Sequence, residues 1–65
     1  MVVVLENKNR KELQILENAI NVSFQELHGE PAYGVTRRGV KSGELKFTGF
    51  PIRCWQLVNI NNEEV

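Results

Sequence analysis

The chain has no aspartate, one cysteine and one histidine among its 65 residues. Each scarcity excludes a class of chemistry. A lone cysteine cannot close an internal disulfide, and one cysteine with one histidine cannot complete a four-ligand zinc site. The acids are all glutamates, and no two are spaced as an acid–base couple, so no catalytic residue is assigned. Cys54 falls where a small buried hydrophobe is expected, without a base beside it. The five glycines, at 29, 34, 39, 43 and 49, do not open a helix after a strand as a phosphate-binding loop requires. No cofactor and no metal are therefore expected. Long hydrophobic runs are missing too. The apolar opening, VVVL at 2–5, stops at Glu6, too short for a signal-peptide core or a membrane span. The expectation is a cytoplasmic protein with no membrane partner, in which the Asn21–Val22–Ser23 sequon goes unused.

What is present has the composition of a soluble globular protein, with 42% hydrophobic and 25% charged residues. Residues 1–65 read as one domain. A chain of this size buries only about 60% of the surface its unfolded form exposes. Such cores are often supplemented by disulfides, metal or self-association, and with the first two excluded, self-association is what remains. The net charge is zero but unevenly spread. Residues 1–30 set Lys8, Arg10 and Lys11 against Glu6, Glu12, Glu17, Glu26 and Glu30, a balance of −2. Residues 31–60 set Arg37, Arg38, Lys41, Lys46 and Arg53 against Glu44, a balance of +4, and the tail adds Glu63 and Glu64.

Along the chain, VVVL suits a strand buried on both faces or paired at an interface. Asn9 with Glu12 three residues on has the form of a helix capping box. Leu13, Leu16, Ile20, Phe24 and Leu27 then recur at three- and four-residue intervals, the pattern of a core-facing helix stripe. His28 falls in the last turn, Gly29 at the C-terminal cap, and Pro31 stops continuation. The spacing predicts one helix over residues 9–28. Beyond it, Val35, Leu45 and Phe47, then Ile52, Cys54, Val58 and Ile60, alternate as strands. A hairpin turn is expected at Gly39 or over Lys41–Ser42–Gly43–Glu44, with a second turn or bulge at 49–51. The predicted fold is α+β, a single helix packed on a three- to four-stranded antiparallel sheet in the order β-α-β-β(-β). Leu16, Ile20, Phe24, Leu45, Phe47, Cys54 and Val58 would form its core.

That register turns Arg38, Lys46, Thr48, Phe50, Arg53, Trp55 and Leu57 to the outer sheet face. Exposed rings flanked by cations suit two occupants. The leading expectation is a non-enzymatic interaction or regulatory protein, a homo-oligomer or the partner of another protein, with Trp55, Leu57, Phe50 and Arg53 in the contact. Ile15, Ala19 and Val22 form a second apolar seam on the helix, from which Ile15 and Val22 join the interface candidates. The alternative is nucleic-acid binding through Arg37, Arg38, Lys41, Lys46, Arg53 and Trp55. There the bases of a single strand stack on rings while cations hold phosphates, or a basic hairpin enters a DNA groove. Zero net charge weighs against the second class.

Overall fold

The structure, a computed structural model describing residues 1–39, 41 and 43–61, contains six β-strands and no helix among those residues. The α+β expectation is overturned; the fold is all-β. Strands β1 (Val2–Asn7), β2 (Leu13–Leu16), β3 (Ala19–Leu27), β4 (Glu30–Arg38), β5 (Leu45–Pro51) and β6 (Trp55–Asn61) form two antiparallel three-stranded sheets. Their orders are β2-β1-β6 and β3-β4-β5. Glu63, Glu64 and Ser42, used above, lie outside the described residues.

Two corners join the sheets. At the first, only Glu17 and Asn18 separate β2 from β3, and Asn18 takes a left-handed φ of 61°. Ala19 is then held from both sides. The Met1 ammonium donates to the Ala19 carbonyl (2.9 Å) and the Ala19 N–H donates to the Met1 carbonyl (3.0 Å). On the other flank Ala19 is the register partner of Arg37, and the Arg38 N–H donates to the Asn18 carbonyl at 3.0 Å. At the second corner, the Ile52 N–H donates to Pro31 and the Lys8 N–H to Cys54, at 3.1 and 2.8 Å. The backbone pairing thus passes from one sheet to the other at both ends, as in sheet packings whose corners are turned by strands that change sheet.

The helix prediction failed because local signals shared by helices and turns are used here for turns. Asn7, not Asn9, does the capping: its Oδ1 accepts from the N–H groups of Asn9 (2.9 Å) and Arg10 (3.0 Å). Lys11, at φ 61°, donates to the Asn7 carbonyl and closes the β1–β2 hairpin. At the other end His28 and Gly29 both have positive φ, 53° and 81°, between the paired residues Leu27 and Glu30. This is a two-residue hairpin loop with the dihedral signs of a type I′ turn. A left-handed glycine serves equally as a helix cap, hence the misreading. Between these turns, the corner at 17–18 and a register shift between Ala19 and Asn21 displace the strand's period of two. The inward residues Leu16, Ala19 and Val22 consequently lie three apart, a helical interval produced by a bent strand.

The core is Val3 and Leu5 of β1, Leu16, Ala19, Val35 and Phe50, with Met1, Val22, Tyr33, Trp55 and Leu57 packed against it. Leu16 was correctly expected there. Ile20, Phe24, Leu45, Phe47 and Val58 were not: all are exposed, and Cys54 is only partly buried. On β5 and β6 apolar residues occupy both faces, so alternation could not choose between them, and a one-residue slip exchanges the faces. The face predicted to look outward, with Phe50, Trp55 and Leu57, looks in.

Two stability measurements check this arrangement. Leu5→Ala, at a fully buried site, should lower the unfolding free energy by about 2–5 kcal/mol. Phe24→Ala should cost no more than about 1.5 kcal/mol, because the 74% exposed ring has chiefly its stack on Tyr33 to lose. The reverse ranking in urea denaturation would restore the helix stripe. Gly29→Ala should cost about 1–2 kcal/mol through left-handed strain alone, since a Cβ there meets nothing within 4 Å.

Candidate functional site

Three surfaces are distinguished by what the strands bring together. The first is the outer face of the β2-β1-β6 sheet. Register places Val4 opposite Ile15 and Glu6 opposite Leu13, on the side away from Val3 and Leu5. Leu13 is 59% and Ile15 56% exposed, on an edge strand of only four residues, and Val4 beside them is partly buried. Gln56 donates to Glu6 Oε1 at 3.2 Å on the same face, a polar border to the apolar strip.

A second surface is the outer side of β3-β4-β5. Its floor is made of small residues, with Gly34 opposite Gly49 and Ala32 opposite Pro51. The Phe47 ring tip covers Gly34, so that a Cβ added there would stand 2.7 Å from Cε2, and Leu27 likewise covers Gly49. These glycines are therefore needed for close approach of side chains. Leu27, Phe47 and Gly49 line a concavity of ≈ 300 Å³ with His28, Glu30, Ala32 and Pro51. About half of Phe47 remains open to solvent.

The third surface is basic. Arg37 and Lys46 are direct register partners on β4 and β5, with Arg38 next along the strand. With Asn18, Gly39 and Thr48 these cations line a concavity of ≈ 190 Å³ beside the first corner. The Arg37 side chain is fixed there, its Nε donating to the Glu17 carbonyl at 3.0 Å. Lys41 lies exposed in the β4–β5 connection.

Of the predicted interface residues, Ile15 is exposed as an interface requires. Phe50 is buried, and Val22, Trp55 and Leu57 pack on the core. Trp55 meets Phe50 edge to face, with ring centroids 5.4 Å apart and planes at 80°. It is part of the core and no open stacking platform, which corrects its placement on the outer face. Of the predicted nucleic-acid residues, Arg37, Arg38 and Lys46 gather, while Arg53 is separated from them. It follows Pro51, roughly 17 Å along β5 from Lys46. There its Nε donates to Glu30 Oε1 at 2.6 Å. That hydrogen bond, then the Glu30 charge and a contribution from Cys54, raise the Arg53 pKa above its ordinary value against opposing desolvation.

The exposed Leu13, Phe24, Leu45, Phe47, Val58 and Ile60 escaped the surface prediction because each was counted as core or strand interior. One signal for Leu13 was legible: with Ile15 it alternates around the polar Gln14. Among the described residues no group of three His, Cys, Asp or Glu side chains could hold a metal ion. No helix in them is long and apolar enough to cross a membrane. No protein-family model, curated protein or solved structure matches the chain.

Since Trp55 is packed against Phe50, its emission should shift to the red on unfolding. A mixed oligonucleotide should not quench it in the folded state. Trp55→Ala should destabilise the monomer fold by about 2 kcal/mol or more. A fully stable variant would show the ring to be dispensable to the core.

Proposed function

We propose that this is a small non-enzymatic interaction protein of the cytoplasm, acting through protein–protein contacts and assembled as a homo-oligomer, most simply a two-fold dimer. The observation that carries the reading is the strip of Leu13 and Ile15 on the outer face of β2, flanked by Val4. Scattered apolar side chains on a surface are ordinary, whereas neighbours on one sheet face form a patch with a partner's composition. An isologous contact would place the strip against its own copy, which a two-fold axis allows without new chemistry. The thin core gives the same direction. Among the described residues only seven apolar ones are buried, while eight large ones stand exposed, so association would remove from water what the monomer leaves there. Regulation by such a protein would work by occupying a surface, and no catalytic step is assigned.

Sedimentation equilibrium at micromolar concentration tests the reading. The expected species has twice the 7.5 kDa chain mass. Ile15→Lys should convert it to monomer with an unchanged circular dichroism spectrum, because a charge on this exposed face does not enter the core. A wild-type monomer would overturn the proposal.

A further inference from the structure

We propose that Arg37, Arg38 and Lys46 form a binding site for the phosphate groups of a single-stranded nucleic acid. The inference goes beyond self-association and uses none of the residues of the Leu13/Ile15 strip. Its first support is a like-charge pair. Arg37 and Lys46 face each other directly across the β4–β5 ladder, an arrangement that destabilises a sheet unless something negative lies between the charges. The ion pairs among the described residues are Arg10–Glu12 and Arg53–Glu30, and neither involves these three cations.

Geometry is the second support. The cations do not spread into solvent separately but line one concavity of ≈ 190 Å³, whose remaining lining, Asn18, Gly39 and Thr48, supplies amide, backbone and hydroxyl groups. Arg37 is oriented by its bond to the Glu17 carbonyl, which occupies Nε and leaves the terminal guanidinium nitrogens to donate. A planar donor fork held in place suits a phosphate better than a mobile ammonium does. Two carboxylates belong to the neighbourhood, Glu17 in the corner and Glu44 in the β4–β5 connection. Against Arg37, Arg38, Lys41 and Lys46 they leave the end of the sheet positive.

A nucleic-acid strand fits better than an isolated anion or an acidic peptide because a ring lies within the same element. Phe47 follows Lys46 in β5 and shares its sheet face with Arg38, whose partner is Leu45, while the paired Arg37 and Lys46 lie on the opposite face beside the open edge of β5. The ring is supported from beneath by Gly34 and about half open above, a platform on which a base can stack beside Arg38 while the strand crosses the β5 edge to bring further phosphates to Lys46 and Arg37.

The test is fluorescence anisotropy of a labelled, mixed-sequence single-stranded DNA at 50 and 200 mM salt. Three phosphate contacts on a single strand should weaken binding about twenty-fold over that interval. Arg38→Gln/Lys46→Gln removes two cations that make no side-chain hydrogen bond, so the fold should survive. The salt effect should then fall to about three-fold. Arg53→Gln, at the far end of β5, should change neither affinity nor salt dependence. Amide shifts in wild-type protein should map to residues 36–38 and 46–48. No binding at 50 mM salt would overturn the proposal. So would equal losses from the double variant and Arg53→Gln, which would mean diffuse attraction. A polyglutamate peptide bound as tightly as the DNA would overturn the nucleic-acid assignment in favour of an acidic protein.

Discussion

The pairing of Met1 with Ala19 is the contact on which the architecture turns. A chain this short cannot devote separate strands to every edge of two sheets, so one stretch, residues 13–27, serves both. Its first part pairs with β1 and its second with β4. The transition requires a residue in contact with both neighbours, and Ala19 meets that requirement with a buried methyl that leaves room for two backbones to approach. Asn18 provides the left-handed step before it. Asparagine is among the few non-glycine residues that take this conformation readily. Loss of this corner would leave two three-stranded sheets, each with one apolar face uncovered.

Closure at both corners explains how little of the chain is core. The buried side chains other than Ala32 form a single cluster between the sheets, and the described residues leave no buried side-chain polar atom unpaired. Beyond these and the partly buried side chains packed against them, the large apolar residues of the described part lie on an outer face or at a rim. Phe24 stacks on Tyr33 at 5.3 Å there, and Phe47 and Leu27 cover glycines on the far side of β3-β4-β5. The outer surfaces are thus partly self-covered on one sheet and open on the other, which distinguishes the Leu13/Ile15 strip from the Phe47 patch. The basic end is a separate consequence of the same topology. The corner draws the end of β4 and the start of β5 to Asn18, and so converts three cations far from any carboxylate in sequence, Glu44 excepted, into one concavity.

Hairpin ends were the most legible part of the chain. The turn between Val35 and Leu45 and the break near Pro51 are where the glycines and prolines indicated, and β1 is the apolar strand that VVVL suggested. Arg37, Arg38, Lys41, Lys46 and Arg53 were read as one basic group, from which the structure separates Arg53. Residues 9–28 were misread because Leu13, Ile20 and Phe24, spaced with Leu16 and Leu27 like a helix stripe, are exposed positions of two strands joined at a corner. The face assignment of β5 and β6 was misread because apolar side chains occur on both sides. Neither error could be repaired locally, since the partner strand alone fixes which parity is inside.

The amino-acid sequence by itself determined the absence of a disulfide framework, the turns beyond residue 38, the separation of charge between its halves, and the scarcity of core material. These follow from residue identity, which acts at each position whatever the fold. Tertiary structure decided that Gly29 closes a hairpin, that Trp55 is core, that Leu13 and Ile15 are surface, and that Arg53 stands apart from the other cations. Each of those outcomes depends on which strands pair and in what register. Pairing is a contest among distant segments for the same few backbone edges, and the burial of Val3, Leu5, Val35 and Phe50 in one layer settles it.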